Sequence, residues 1–472
     1  MISPQLTEDD LFSASQVCQR WRSILISSAS TWTRISCNNR PRVIASLERC
    51  GSLPIQLRLQ PPFPGEVLEE VLLRGNKVFS LDLNHDIHQI SLLQRLFAYS
   101  RPSVERLLLH FSDYGRVEPG EGEVPEIWQG FPRLRELFVK LHSVSIDRLI
   151  VPNLVHLALE SSGWRQNTTC QLILDMLRGC PLLETLLLNY SDPISPATTQ
   201  GHYPVNLPYL RSIEVGADEI DSGLIALLDF PPDIKAGFRL SHPDGLCGEE
   251  PGSALAAMQH VLRKVNVRCI TLAAHLRYQL FLLRFEGLRG SLEITTGYSP
   301  GHPHLKDFLF GPGGVLFSHS PHIENVTEVH IVECPFDTNQ GLDHVKAAMP
   351  NIDTITFFQR YGSYPFGPLT TGDTSSLLFP RLERVMVLGS ESRLEEMAKN
   401  RRDLGVPLKT LVLGKDPGLN YDRLEDYTTL EGLVGDLRVE CPVEIVQWGA
   451  GKDFVDVWFA AGAPRVVSLN KA

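Results

Sequence analysis

Residues 181–188, PLLETLLL, carry the sequence pattern on which the fold of this chain depends. The stretch opens with a proline, and two of its last apolar residues, Leu186 and Leu188, lie two positions apart. Residues two apart point to the same face of a β-strand, so the pattern predicts a short strand with one face turned into a core. Further copies of proline-x-apolar-x-x-apolar-x-apolar begin at Pro102, Pro132, Pro152, Pro208, Pro350 and Pro380, and a shortened form begins at Pro407.

Neighbouring copies of this pattern lie roughly 20 to 30 residues apart, which is the period of leucine-rich repeats. Amphipathic stretches separate them, such as residues 172–179, LILDMLRG, and residues 254–265, ALAAMQHVLRKV. Strands and helices that alternate at this period stack into a parallel sheet with helices on its outer side. The predicted buried face of the first of these helices consists of Leu172, Ile173, Met176 and Leu177.

We therefore predict an α/β fold in which a short helical segment at residues 1–36 precedes an irregular leucine-rich-repeat solenoid at residues 37–415. Residues 416–472 contain strand-like runs and are expected to form the C-terminal cap that covers the last apolar face of a solenoid. Residues 232–320 keep the pattern poorly, which indicates an insertion or a bulge in the array. A compact α/β domain is the alternative architecture.

The N-terminal segment contains an apolar stretch at residues 11–35, LFSASQVCQRWRSILISSASTWTRI. We predict a short helical turn with Leu11 and Phe12, followed by a helix that Ser13 or Ser15 caps. The apolar residues of that helix recur at i, i+4, i+7 and i+8, which places them on one helical face. This face consists of Val17, Trp21, Ile24 and Leu25.

The segment is too small to bury so much apolar surface by itself. It must pack on the following chain, on a partner protein, or on both. A simple cap for the repeat body is one interpretation. An exposed apolar helix face that docks into the groove of a partner is the other.

This segment resembles the second half of an F-box, in the form common in fungal F-box-like proteins. Those proteins carry V-C and W-R pairs, then a serine-rich break and a second tryptophan. The first half of the motif, an L-P-x-E helix, does not appear ahead of Leu6, so residues 1–36 are expected to be an N-terminally truncated F-box. The matching residues are Ala14, Ser15, Val17, Cys18, Trp21, Arg22 and Trp32.

The resemblance implies that the chain binds a Skp-type adaptor of a cullin–RING ubiquitin ligase. The repeat body would then hold a protein substrate, and other subunits would supply the catalysis, so the chain itself is expected to be neither an enzyme nor a cofactor-binding protein. Carried over to this sequence, the residues at or behind the adaptor interface are Leu11, Val17, Cys18, Trp21 and Trp32.

The strand positions between the core residues face the opposite side of the sheet, which in repeat proteins is the usual binding surface. A mixture of charged, aromatic and aliphatic residues at these positions suits a protein ligand. The alternative is that a neighbouring loop or the C-terminal tail covers the apolar ones. The candidate substrate-binding residues are Arg106, Leu108, Glu136, Phe138, His156, Leu187 and Glu214.

Composition narrows the remaining possibilities. A formal net charge of -11 argues against nucleic acid or an anionic membrane as the main partner. The nine cysteines form no C-x-x-C pair, which argues against a zinc ribbon or a disulfide framework. Because the start of the chain lacks a basic segment followed by an apolar run, we expect no secretory signal and a cytoplasmic or nuclear location.

Two features of residues 297–322 point weakly to other chemistry. Residues 297–301, GYSPG, match the G-x-S-x-G pattern of serine hydrolases, with Ser299 as the candidate nucleophile. A proline inside that pattern disfavours the helix that must follow such a serine. Four nearby histidines lack fixed ligand spacing, so no metal site is predicted there. A leucine-rich-repeat scaffold with a non-functional F-box remnant is the main alternative function, and a serine hydrolase is a remote one.

Overall fold

The computed structural model describes residues 8–36, 39–59, 78–86, 103–112, 131–140, 151–161, 169–190, 203–217, 222–240, 252–275, 280–297, 323–332, 345, 349–359, 379–389, 394–414, 430 and 433–440. The chain divides into two compact units, Met1–Ile234 and Lys235–Ala472. Each unit is α/β, with a mostly parallel sheet. The domain boundaries expected after residues 36 and 415 stay predictions.

The sheet of the first unit grows strand by strand in chain order. Strands β1 to β7 pair successively and in parallel, β9 follows β7, and β8 pairs in parallel with β10. The helices are α1 (Glu8–Val17), α2 (Gln19–Ser27), a 3-10 helix (Ala29–Trp32), α3 (Arg40–Arg49), α4 (Cys170–Arg178) and α5 (Ser222–Ala226). The strands are β1 (Arg34–Ile35), β2 (Ile55–Leu59), β3 (Val78–Asp86), β4 (Arg106–Ser112), β5 (Glu136–Lys140), β6 (His156–Ser161), β7 (Thr185–Tyr190), β8 (Val205–Asn206), β9 (Ser212–Ala217) and β10 (Leu228–Asp229).

The predicted alternation of buried and outward residues is confirmed in β4 to β9. Equivalent apolar residues lie side by side on neighbouring strands, so that these strands share one continuous core. Each fully buried leucine stabilises the fold by about 1.5–3 kcal/mol relative to an exposed one. The row formed in this way consists of Leu107, Leu137, Leu157, Leu186 and Ile213, all of them buried.

In five copies of the pattern, the proline occupies the second position of a β-turn that leads into the strand. In the copy at residues 131–134, the amide of Leu134 donates to the carbonyl of Phe131 at 3.1 Å, and Pro132 lies between them. Proline favours this position because its ring fixes φ near the value that the turn requires. The same hydrogen bond recurs in the turns at Pro152, Pro181, Pro208 and Pro380.

Helix α4 matches its prediction in position but not in its buried face. Thr169 caps its start by accepting a hydrogen bond from the amide of Leu172 at 3.4 Å. Leu172 itself is only half-buried, and Leu174 is buried in its place. The buried residues fall at i, i+3, i+4, i+6 and i+7 from Cys170, which makes one broad face of the helix.

The predicted boundaries of the N-terminal helices were wrong. Helix α1 has ten residues and runs to Val17, and Ser15 lies inside it with its hydroxyl donating to the carbonyl of Phe12 at 2.7 Å. Helix α2 begins after Cys18, whose sulfur accepts a hydrogen bond from the amide of Trp21 at 3.5 Å. The cap is therefore a thiol rather than a serine hydroxyl.

The second unit contains helices α6 (Gly252–Val265) and α7 (Leu394–Asp403) in its described residues. Helix α6 confirms the helix predicted from residues 254–265. The strands are β11 (Lys235–Leu240), β12 (Val267–His275), β13 (Leu280–Gly287), β14 (Ser291–Gly297), β15 (Glu328–Val332), β16 (Thr354–Gln359), β17 (Arg384–Gly389), β18 (Thr410–Gly414) and β19 (Asp436–Glu440).

An antiparallel three-stranded segment interrupts the parallel order of the second unit. The strands lie in the order β11, β14, β13, β12, β15, β16, β17, β18, β19, and β13 is antiparallel to both of its neighbours. Connections of only three or four residues join β12, β13 and β14, and connections this short allow only antiparallel pairing. The interruption lies in the region where the repeat pattern is weak, and it corrects the expectation of an entirely parallel sheet.

Candidate binding faces

One side of the N-terminal segment is buried and anchors it to α3. Trp32 is 1% exposed, and its indole nitrogen donates to the carbonyl of Leu25 at 2.8 Å. The ring of Phe12 meets Trp32 edge-on with centroids 5.2 Å apart. The guanidinium of Arg49 lies 4.3 Å from the centre of the Trp32 ring. These contacts make Trp32 the centre of the anchor.

The other side of the segment exposes large apolar residues. Val17 is 72% exposed at the end of α1, and Trp21 and Ile24 are 45% and 47% exposed one turn apart on α2. Leu25, which the sequence placed on the same face, is fully buried. We call Val17, Trp21 and Ile24 the docking face. The docking face has residues from both α1 and α2, which meet at Cys18.

The five residues expected at the adaptor interface fall on both sides of this division. Val17, Cys18 and Trp21 are exposed. Leu11 and Trp32 are buried, so in the free chain they lie behind the docking face rather than on it. The sulfur of Cys18 accepts a hydrogen bond that fixes the start of α2, and so it orients Trp21 on that helix.

The seven residues expected to bind a substrate lie together on the outward side of β4 to β9, which we call the outer face. The parallel register places them in rows that cross the strands. The first row is Arg106, Glu136, His156, Thr185 and Ser212; the middle row is Leu108, Phe138, Ala158, Leu187 and Glu214; the third row begins with His110, Lys140, Glu160 and Asn189.

Polar residues of the outer face bond to one another across the strands. The guanidinium of Arg106 lies 3.1 Å from the carboxylate of Glu136. In the same row, Nδ1 of His156 is 3.0 Å from the hydroxyl of Thr185. Exposed ion pairs of this kind stabilise a fold by only about 0–1 kcal/mol. Their main effect is to hold the polar rows in a fixed arrangement.

The middle row forms an apolar stripe between the two polar rows. Leu108, Phe138, Ala158 and Leu187 are all half-buried. Because neighbouring strands lie about 4.8 Å apart, the stripe extends about 14 Å across the sheet. The ring of His110, which belongs to the third row, lies 4.9 Å from the ring of Phe138 in the stripe.

Sequence reasoning missed Asp82, which extends the outer face onto β3. Asp82 is aligned with Leu108 and forms an ion pair with Arg58 at 3.2 Å. Its other carboxylate oxygen lies 3.8 Å from Nε2 of His110. Residues 77–83, KVFSLDL, are a degenerate copy of the strand pattern, and its alternation of apolar and polar residues places Asp82 at an outward position.

Several other predictions concern residues beyond those described. Ser299 and the four histidines at 302, 304, 319 and 322 are among them, as is most of the expected C-terminal cap at residues 416–472. Among the described residues, no helix combines the length and the apolar character that crossing a bilayer requires.

The geometry of the docking face and of the outer face is the basis on which a function can be proposed. No model of a protein family matches this chain, and no curated protein matches it either.

Proposed function

We propose that this protein is a substrate-recognition subunit of a Skp–cullin–F-box type ubiquitin ligase with a leucine-rich-repeat body. The docking face would bind a Skp-type adaptor, and the outer face would bind the protein that is to be ubiquitinated. The observation that carries the proposal is the division of the N-terminal segment into a buried anchor around Trp32 and an exposed apolar face around Trp21.

The docking face has the composition of a protein-binding hot spot. Tryptophan is enriched among residues that dominate binding energy, and aliphatic neighbours exclude water around it. Trp21 and Ile24 lie one turn apart on α2, a spacing that suits insertion of a helix face into an apolar groove. The anchor fixes this helix to α3 and β2, so little conformational entropy is lost when a partner binds.

The outer face supports the second half of the proposal. An apolar stripe between fixed polar rows offers a protein ligand both buried area and directional contacts. The ion pairs of the face bond to residues of the same sheet, so a ligand gains most from the stripe. Ubiquitin transfer would take place on other subunits, and this chain would contribute position and selectivity.

A second candidate is a leucine-rich-repeat scaffold whose partial F-box only caps the body. The observation that favours it is the burial of Leu11, Leu25 and Trp32, since a cap needs this side of the segment and no other. The two candidates differ in what they require of the docking face. A cap leaves that face without a partner, whereas an adaptor-binding subunit depends on it.

The adaptor proposal predicts that replacing Val17 and Trp21 together by Ala weakens binding to a purified Skp-type adaptor by about 100-fold or more. The double substitution removes the hot spot, but both side chains are exposed, so the chain should remain folded. Calorimetric titration of the full chain with the adaptor measures the effect, and circular dichroism checks the fold. Tyr203→Ala, at an exposed aromatic residue elsewhere in the first unit, is the matched control and should bind normally. An unaltered chain that does not bind the adaptor would favour the scaffold.

The substrate half of the proposal predicts that Phe138→Gln with Leu187→Gln abolishes ubiquitination of the ligase's client proteins while adaptor binding persists. Both residues belong to the apolar stripe on the outward side of the sheet and are only half-buried, so we expect the chain to remain folded. Quantitative mass spectrometry of ubiquitinated peptides in cells that express each variant provides the measurement. Leu182→Gln changes an exposed leucine in a turn of the same unit and should leave the client set intact. Unchanged clients in the double variant would remove the outer face from the mechanism.

A further inference from the structure

A group of metal-ligating side chains lies on the outward side of the second unit's sheet, at the junction of β12 and β15. The sulfur of Cys269, a carboxylate oxygen of Glu328 and a ring nitrogen of His330 all lie within 4.8 Å of one another. Cys269 is paired in register with Glu328, and His330 follows two positions later on β15. The two β15 residues therefore point to the same side of the sheet.

The three side chains of this group differ in their exposure to solvent. Cys269 is buried, and the side chain of His330 is 14% exposed. The side chain of Glu328 is 44% exposed, which leaves solvent access from its side. Nε2 of His330 lies 3.4 Å from the carboxylate of Glu328, and Nδ1 is buried without a hydrogen-bond partner. The imidazole is thus held near Glu328, and its Nδ1 has no hydrogen-bond partner that a metal ligand would have to give up.

The surrounding charge is negative around the thiol. Glu286 on β13 is paired in register with Cys269 on the side opposite Glu328. Arg284 is the cation among these neighbours; it lies 2.9 Å from Glu286 and 3.8 Å from Glu293, so carboxylates already share its charge. Two neighbouring carboxylates disfavour the thiolate form of Cys269 unless a further cation offsets their charge.

A cation at this group must compete with a proton for the sulfur of Cys269. Burial, together with the carboxylates of Glu328 and Glu286, raises the pKa of Cys269, so the thiol holds its proton at neutral pH. Burial lowers the pKa of His330, which keeps the imidazole neutral with a lone pair available. A divalent cation would displace the thiol proton to solvent and form a bond to the thiolate.

We propose that Cys269, Glu328 and His330 bind one divalent transition-metal cation, and that this cation is Zn²⁺. A thiolate and an imidazole select zinc over the hard cations calcium and magnesium, and zinc also accepts a carboxylate. In a tetrahedral zinc site such ligand atoms lie about 3.4–3.6 Å apart, so side-chain rotations that bring the atoms about 1 Å closer complete the site. Three protein ligands leave the fourth position to water. The proposal is independent of the adaptor and substrate functions.

Titration of the full, metal-depleted chain with Co²⁺ and then Zn²⁺ tests this site. Co²⁺ bound to a thiolate produces a charge-transfer absorption band, which reports the cysteine ligand directly. We expect one such equivalent, displaced by Zn²⁺, with an apparent Kd of about 1 µM or tighter. Absence of the band in the unaltered chain would overturn the proposal.

Variants assign the band to its ligands. Cys269→Ser should abolish it, and His330→Gln should weaken Co²⁺ binding by about 100-fold while circular dichroism stays unchanged. Cys18→Ser, which changes an exposed cysteine in the first unit, is the matched control and should leave the band intact. Replacing the four histidines at 302, 304, 319 and 322 by Gln should also leave it intact. A band that survives Cys269→Ser, or that disappears with those four histidines, would overturn the assignment.

Discussion

Replacing Trp32 by Ala is expected to lower the free energy of opening the N-terminal segment by about 3–5 kcal/mol, the usual cost of removing a fully buried tryptophan. The substitution removes the hydrogen bond to Leu25, the edge-on contact with Phe12 and the stacking of Arg49. It also leaves a cavity at the centre of the anchor. We expect α1 and α2 to detach from α3 in this variant.

Hydrogen exchange of the full chain, followed by mass spectrometry of peptides from residues 8–59, measures this local opening. The matched control is Trp21→Ala, which removes the same side chain from the same segment at a position that is 45% exposed. It should cost about 1 kcal/mol or less. Equal losses of protection in the two variants would contradict the division of the segment into anchor and docking face.

Trp32→Phe separates packing from hydrogen bonding. Phenylalanine retains most of the ring contacts but cannot donate to the carbonyl of Leu25. The expected loss is about 1–2 kcal/mol, composed of the missing hydrogen bond and a smaller ring. The segment should stay packed against α3 in this variant, and the proposed function predicts that adaptor binding is retained.

Strands β4 to β9 show which parts of the fold could be predicted from the sequence. The alternation at Leu186 and Leu188 is a local property of strand geometry, so it predicted both the buried row and the outward residues between its members. The outer face followed directly, because parallel strands in register bring equivalent positions together. Asp82 was missed because its repeat copy has lost the proline that marks the others.

The break between α1 and α2 was not predictable from propensity. Serine is a favoured N-cap and cysteine is not among the favoured residues, so Ser13 and Ser15 outweighed Cys18 as candidates. The structure uses the sulfur of Cys18 instead. Trp21 and Leu25 both lie on α2, and Leu25 is buried in the anchor while Trp21 stays exposed.

The candidate metal site depends on topology that no local pattern specifies. Cys269 and Glu328 are far apart in sequence, and they meet only because β15 pairs with β12. Had β12, β13 and β14 continued the array in chain order, β15 would have paired with β14. The antiparallel segment instead places β13 and β14 on the far side of β12 and so leaves its edge open to β15. Local periodicity cannot predict that choice of edge.

Replacing Arg401 by Ala is the second substitution with a large expected effect on stability. Arg401 lies on α7 with its side chain fully buried, and its Nη2 donates to the carbonyls of Phe379 and Leu382 at 3.3 and 3.0 Å. These carbonyls belong to the proline turn that leads into β17. Phe379 adopts a φ of 54°, which is strained for a residue with a side chain. Arg401 therefore holds a strained turn against the helix.

The charge of Arg401 works against this stabilisation. Burial lowers the pKa of its guanidinium to about 10. Because the folded chain holds this proton less tightly than the unfolded chain, the charge opposes folding at neutral pH, and the penalty is relieved only as the pH rises from about 10 toward the usual pKa of arginine. A shift of this size corresponds to about 3 kcal/mol. Buried carbonyls without donors cost about 1–3 kcal/mol each, which is of similar size.

The size of the cavity left at position 401 then decides how much stability each substitution removes. Arg401→Ala leaves the carbonyls without their donor and also removes most of a buried side chain, so we expect a net loss of about 3 kcal/mol. Arg401→Met fills most of that volume and removes the charge, so we expect a loss of about 1 kcal/mol or less. Hydrogen exchange of peptides from residues 379–414 of the full chain measures both. Arg402→Ala, at the exposed neighbouring position, serves as the control. Equal losses for Met and Ala would mean that the charged hydrogen bonds, which both variants remove, hold the turn before β17 rather than packing.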